Sequence, residues 1–377
     1  MTSTPCRAQS TVVGLRPPTL QTIPESIAKN MAIVQARSDS RIMAVVKADG
    51  YGHGALTVAR AAIAAGAQWL GTTDFDEAVN LREAGLSVPI LAWLNPAGFD
   101  AGAASAGGID LAVGSVEELQ TLLEQPSGAA VRIHLHVDTG MSREGVPRSE
   151  WDAIILRALE GQRRGKIFVV GLMGHLPLAD RADPRANEEA VALMHEAKAK
   201  ITAAGFDDPI THLAATAGAL TDPATHFGMI RLGAGLVGID PSGTTDLSGA
   251  SRLTAPIVHN ATVMPGTPVG YGGTYTTDRT TRLSTLPVGY ADGIPREISP
   301  DASVEIHGCR YPVVGRVSMD QIVINTGATY YPRGTTATVF GPKDGVTPTI
   351  QEWASWAGTI PHTIVTNIGS RVKRTIA

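Results

Sequence analysis

Ile42-Met43-Ala44-Val45-Val46-Lys47-Ala48-Asp49-Gly50-Tyr51-Gly52-His53-Gly54 is a continuous apolar run that stops at a lysine and passes into a glycine-rich turn. An Ala-rich stretch of helical spacing, Ala55–Ala65, follows and stops at Gly66. A run apolar on every position, rather than on alternate ones, suits a parallel strand buried on both faces. Strand, turn and helix together make one βα unit, and the unit recurs. Further apolar runs lie at Trp69–Thr72, Pro89–Trp93, Asp110–Val113, Val131–Val137, Ile167–Met173, Ile210–Ala214 and Met229–Leu232. Helical stretches at Asp74–Ala84, Ser115–Leu123 and Asn187–Ala204 fall between them, and Gly85 and Gly205 stand where C-terminal caps belong. Eight strands alternating with helices predict an α/β chain with an N-terminal (β/α)8 TIM-like barrel. A doubly wound open sheet is the alternative, but its GxGxxG turn does not follow the first strand.

After Pro241 the texture changes. Ala255–Val263, Thr281–Pro287, Ala302–Ile306, Tyr311–Val317, Ile322–Ile324 and Thr336–Phe340 are short and separated by Gly, Pro or Asp turns, which predicts a C-terminal mainly antiparallel β domain. One late helix is expected at Thr349–Ala357, with Thr349 and Glu352 at capping-box spacing. The expected division is a barrel over 12–247 and a β domain over 248–377, with residues 1–15 packing against the latter.

The 377 residues carry 31 basic and 35 acidic side chains, a balance that argues against a nucleic-acid binder. Two cysteines, Cys6 and Cys309, make no disulfide framework. No apolar run is long enough to span a membrane, and the first ten residues lack the apolar core of a secretory signal, so a cytoplasmic protein is expected. His134 and His136 share a strand face without a third ligand at metal spacing, so no metal is expected.

Chemistry in such a barrel sits where strands end. Lys47 ends the first strand, and its partial desolvation would lower its pKa and free the amine. Asp138-Thr139-Gly140-Met141-Ser142-Arg143 follows the fifth strand, His175 the sixth and Thr216 the seventh, while Arg231 ends the eighth. Taken singly, Lys47 could simply leave the rim, His175 could be a satisfied structural histidine and Arg231 an ordinary ion-pair partner. Converging on one mouth, they would suit an anionic ligand with a carbonyl for Lys47 to capture.

At these residues the chain resembles the alanine racemases, over roughly residues 12–374. The resemblance is carried by Ala44–Gly54, Asp138–Arg143, Tyr271-Gly272-Gly273-Thr274-Tyr275, Pro287-Val288-Gly289-Tyr290-Ala291-Asp292-Gly293 and Gly315-Arg316-Val317-Ser318-Met319-Asp320-Gln321. It implies a pyridoxal 5'-phosphate enzyme that interconverts L- and D-alanine and supplies D-alanine for peptidoglycan. It implies that Lys47 holds the cofactor covalently, with Tyr51, Thr216, Gly233 and Ala234 on its phosphate, His175 against its ring, Arg231 at the ring nitrogen and Arg143 near its phenolic oxygen and the substrate carboxylate. Lys47 and Tyr271 are the implied pair of bases, with Tyr271 coming from the partner of a head-to-tail homodimer. Met319, Asp320 and Tyr290 are implied at the substrate entrance and interface. An ordinary phenol, with a pKa near 10, needs help to ionise, and nearby cations such as His175 or Arg231 are expected to give it.

Three positions depart from the family pattern. His136 stands where many members carry a lysine that orients the arginine, Ser370 where a phosphate-touching tyrosine is usual, and Ala215 where an asparagine is usual. These changes bear on substrate range, and a serine or broad-specificity racemase is the alternative. From other classes, a non-catalytic cofactor-binding barrel protein would lack the β domain and Tyr271, and a decarboxylase of the same fold group would place a catalytic cysteine where none of the matching motifs has one.

Overall fold

A computed structural model describes residues 17–95 and 100–377. Cys6 and the expected packing of residues 1–15 lie outside the described residues. The chain divides into two compact units. One is Thr22–Ser251 with Ile376–Ala377, and the other joins residues 17–21 to Arg252–Thr375.

The strand β1 (Thr19–Thr22) precedes the barrel. The barrel strands are β2 (Arg41–Val45), β3 (Trp69–Thr72), β4 (Ile90–Ala92), β5 (Ile109–Val113), β6 (Val131–His136), β7 (Ile167–Met173), β8 (Ile210–His212) and β9 (Met229–Leu232). They pair in parallel in the order β8-β7-β6-β5-β4-β3-β2-β9. The two ends, β8 and β9, meet where Gly228 N–H donates to Thr211 O and Arg231 N–H to Ala214 O. The expected (β/α)8 barrel is therefore the observed one.

Local chemistry sets the helix bounds. The side chains of Asp74, Asp100 and Ser115 accept the N–H groups of Glu77, Ala103 and Glu118, satisfying donors that a helix start leaves open. Helices at Pro24–Gln35, Ala101–Gly107 and Trp151–Arg163 were not among those expected from the sequence. The barrel interior is filled by Met43, Val45, Trp69, Leu91, Ala112, Met173 and Met229. A row of buried polar side chains runs among them.

The second unit is antiparallel, as expected. Its strands are β10 (Ser251–Pro256), β11 (His259–Val263), β12 (Pro268–Val269), β13 (Tyr275–Thr276), β14 (Thr281–Leu286), β15 (Ser303–Ile306), β16 (Cys309–Pro312), β17 (Ile322–Gly327), β18 (Thr336–Phe340) and β19 (Lys373–Ile376). They form sheets in the orders β16-β15-β18-β10-β1-β19 and β11-β14-β17, with β12 paired to β13. The run expected as one strand at Ala255–Val263 breaks into two. The strand expected at Tyr311–Val317 instead lies at Cys309–Pro312, because Val313 N–H is taken by Ala302 O and Val314 N–H by Val323 O. Thr349 and Glu352 form the expected capping box on the helix Ile350–Trp356.

Candidate active site

Lys47 leaves β2 into a left-handed turn. Ala48, Asp49, Gly50 and Tyr51 have φ of 52°, 53°, 62° and 55°. Three of these are not glycine, and each such residue costs roughly 1–2 kcal/mol in this region. The turn persists because its backbone groups are taken: Gly50 N–H donates to Val46 O and Gly52 N–H to Ala48 O. Asp49 Oδ1 accepts Ala55 N–H at 2.8 Å, and Glu77 Oε1 accepts Ala48 N–H at 2.7 Å. Glu77 also accepts Thr73 N–H through Oε2, so one carboxylate ties the Lys47 loop to the end of β3. Backbone strain held this firmly is characteristic of functional sites.

Burial lowers the pKa of Lys47, and the Arg143 guanidinium adds to the effect. Its Nζ stands 5.8 Å from the centre of the Trp93 ring, within cation–π range. Burial also pushes Tyr51 up to about 12, so its hydroxyl stays a proton donor. That hydroxyl lies against Gly233, where an added Cβ would sit 2.3 Å away. Next to it Thr216 Oγ1 accepts Gly235 N–H at 3.0 Å. Tyr51, Thr216 and the Gly233–Ala234 backbone thus meet where β8 and β9 end.

Arg231 is 5% exposed. Its guanidinium donates to the carbonyls of His212, Gly174 and Leu213, to His212 Nδ1 at 2.8 Å and to His175 Nδ1 at 3.0 Å. Burial lowers its pKa only to about 10, so it remains charged. Thr139 Oγ1 brackets the His175 backbone, accepting its N–H and donating to its carbonyl. Burial, then the Arg231 and Arg143 charges, drives His175 down to about 3, and the same causes bring His136 to about 4. The expectation that His175 serves as a cation is therefore corrected: it is neutral, because Arg231 already occupies its Nδ1 lone pair.

Asp138 Oδ1 accepts the N–H groups of Gly140, Met141 and Ser142, which shapes the loop leading to Arg143. Arg143 Nε donates to Glu144 Oε1 at 2.9 Å, and its side chain is largely exposed. With His136 in place of the usual orienting lysine, the carboxylate that meets Arg143 is that of Glu144. Trp93, Glu77 and His212 were given no role by the sequence reading, and Thr139 was noted there only as part of the Asp138–Arg143 motif.

The remaining expected residues belong to the second unit. Tyr271 is 69% exposed, Met319 52% and Tyr290 39%. Their loops are laced together: Tyr290 N–H donates to Ser318 O and Ala291 N–H to Met319 O. Gly289 and Gly315 allow these close approaches, since a Cβ would lie 2.3 Å from Ser318 O at the first and 2.7 Å from Val269 O at the second. Arg371 grips Asp292 with two bonds of 3.0 Å and Asp320 with one of 2.7 Å, and Ser370 beside it is exposed. No group of three or more potential metal ligands occurs among the described residues, and no helix there is long and apolar enough to cross a membrane.

Comparisons with known proteins cover both units. Residues 24–241 match the family profile "Alanine racemase, N-terminal domain", and residues 250–376 match "Alanine racemase, C-terminal domain". The chain is 40% identical over 356 residues to an alanine racemase of Thermobifida fusca, covering 93% of this chain and 95% of that one. It is 39% identical over 355 residues to one of Salinispora tropica, with the same coverage. Among solved structures it resembles the alanine racemase of D-cycloserine-producing Streptomyces lavendulae, with TM-score 0.91 and 33% identity over 97% of this chain and 98% of that one. It also resembles the Bacillus anthracis alanine racemase with bound L-Ala-P, with TM-score 0.87 and 29% identity over 97% and 96%.

Proposed function

The chain belongs to the alanine racemase family, and on that premise we propose that it interconverts L- and D-alanine with two bases, Lys47 from the barrel and Tyr271 from a second copy of the chain. The family depends on pyridoxal 5'-phosphate. The donor set around Lys47 fits that group: a partly desolvated amine, a phosphate cradle in Tyr51, Thr216 and the Gly233–Ala234 backbone that a Cβ at Gly233 would fill, and a charged guanidinium in Arg231. When bound, the cofactor supplies a carbonyl for amine capture and an electron sink that acidifies the substrate α-hydrogen.

The lowered pKa of Lys47, set first by burial, is the observation that carries the reading. It makes Nζ easier to deprotonate than an ordinary lysine amine, which favours the role of a base. Inversion needs a second base on the opposite face, and Tyr271 is the residue assigned to it. Arg231 can only donate, so it would hold the cofactor's ring nitrogen as an acceptor, which would leave that nitrogen unprotonated, weaken the electron sink and disfavour side reactions. Arg143 is assigned to the substrate carboxylate, with Glu144 steadying it. Met319, Asp320 and Tyr290 are assigned to the entrance formed with the partner.

The partner is a second copy. Tyr271, Tyr290 and Met319 are large, exposed side chains on laced loops, and such groups mark interaction surfaces. The proposed role is supply of D-alanine for peptidoglycan in the cytoplasm. The match of residues 250–376 to the C-terminal domain removes the reading as a barrel-only binding protein.

Tyr271→Phe tests the two-base assignment. Solvent deuterium uptake, measured separately from L- and D-alanine, should be lost for one enantiomer and kept for the other. Equal loss from both sinks the assignment. The D-products formed from L-alanine and L-serine by the parent protein decide the substrate range left open by Ser370, and dominant D-serine would move the substrate assignment to serine.

A further inference from the structure

The apolar barrel interior contains a continuous polar row, of which the reaction scheme above uses only Arg231. Asp110 on β5, His134 on β6, His212 on β8 and Arg231 on β9 are all 5% exposed or less. His134 Nε2 lies 3.3 Å from Asp110 Oδ2, His134 Nδ1 lies 2.8 Å from His212 Nε2, and His212 Nδ1 lies 2.8 Å from Arg231.

The hydrogen positions in this row follow from one fact: guanidinium donates and never accepts. His212 Nδ1 must therefore present a lone pair to Arg231, which puts the His212 proton on Nε2. That proton can only go to His134 Nδ1, which puts the His134 proton on Nε2, facing the Asp110 carboxylate. The row has a single direction of donation, from Arg231 to Asp110.

Arg231 has no carboxylate among its own hydrogen-bond partners, only three carbonyls and two imidazole nitrogens. A buried cation without an acid is costly. Asp110 is the buried acid at the far end of the row, where the half-exposed Arg132 also holds it at 2.7 Å. A row of polar groups in a hydrophobic interior stabilises less than well-packed apolar side chains would. The protein nevertheless makes room for it. A Cβ on Gly171 would sit 2.0 Å from His134 Nδ1, and Trp69 packs edge-on to the His134 ring with centroids 5.3 Å apart.

We propose that Asp110, His134 and His212 are positioning residues that act through Arg231: a one-way relay that carries the Asp110 charge across the barrel and fixes where the guanidinium points. The relay itself rests on geometry alone, while its effect on turnover rests on the racemase reading.

The test uses the holoenzyme labelled with 15N-histidine. Solid-state NMR should show His134 and His212 as neutral Nε2–H tautomers. Asp110→Asn keeps an acceptor and removes the charge. It should shift the His134 Nε2–H resonance and, through it, that of His212. It should also lower kcat, measured per folded protein, about tenfold, the low end of what outer-shell partners contribute, with KM nearly unchanged, while the thermal midpoint falls because the buried guanidinium loses its acid. Gly171→Ala leaves every titratable group in place and displaces the His134 ring, so it should reproduce the kcat loss, and Asp110→Asn should add little to it. An Nδ1–H tautomer at either histidine overturns the relay, even if every variant fails to fold. A kcat loss that only tracks the folded fraction, or fully additive losses, overturns the positioning role. A parent protein that shows the Nε2–H pattern but no racemase activity would refute the reaction reading and the effect on turnover, and leave the relay standing.

Discussion

Gly233→Ala puts the proposed phosphate cradle to a quantitative test. The new methyl would lie 2.3 Å from Tyr51 Oη, 3.0 Å from Cζ and 3.1 Å from Cε2. Ordinary carbon contacts begin near 3.5 Å, so the hydroxyl must retreat by about 1.2 Å. Overpacking of this kind costs about 1–3 kcal/mol of stability. If the displaced hydroxyl donates to the cofactor phosphate, a charge-assisted bond of about 1.5–3 kcal/mol is lost as well. At 1.4 kcal/mol per decade, that weakens cofactor binding by about ten- to a hundredfold. Fluorescence titration of the apoenzyme with pyridoxal 5'-phosphate reads the second effect, and thermal melting reads the first. Tyr51→Phe should lose the same affinity without the packing cost, and the double variant should bind no worse than Tyr51→Phe alone. Additive losses in the double variant, or parental affinity in Gly233→Ala, would refute the reasoning, because both effects are assigned to one hydroxyl.

Acid should destabilise the protein through its buried imidazoles. His136 and His175 are held at about 4 and about 3 and His212 well below its ordinary value, mainly by burial, against about 6.5 when unfolded. Below pH ~6.5 the unfolded chain therefore binds protons that the folded one refuses, so stability falls as pH falls, by up to ~1.4 kcal/mol per pH unit for each group. Unfolding free energies from urea titrations at about pH 7.5 and about pH 5 should differ by several kcal/mol, and equal values would contradict the neutral assignment. Ala48→Gly should stabilise the protein by about 1 kcal/mol, since Ala48 has φ 52° and glycine adopts that region freely. Asp49→Ala should destabilise it through the lost bond to Ala55 N–H, and melting curves separate the two.

Much of this protein can be read from its residue order. Mainly apolar runs such as Trp69–Thr72, Ile167–Met173 and Met229–Leu232 coincide with observed strands, because a barrel strand is largely buried on both faces and carries few polar positions to blur its ends. Thr349 and Glu352 announced their helix because a capping box is a contact between residues three apart. Lys47 stood out because it interrupts an apolar run where a barrel strand ends. The short helix Ala101–Gly107, with no large apolar residue to mark a face, gave no such signal.

What the sequence could not supply depends on neighbours distant along the chain. Glu77 reaches Ala48 across 29 positions, and Arg231 reaches His175 across 56. The neutral state of His175 follows from the burial and the guanidinium that barrel closure places around it. The single direction of the Asp110-to-Arg231 row requires strands β5, β6, β8 and β9 to stand around one interior. Local order along the chain thus determined which elements form and which side chains stand at strand ends. Only the closed barrel decided which of those side chains meet, and with them the charges and proton positions on which the chemistry depends, because burial and hydrogen-bond partners belong to the folded interior.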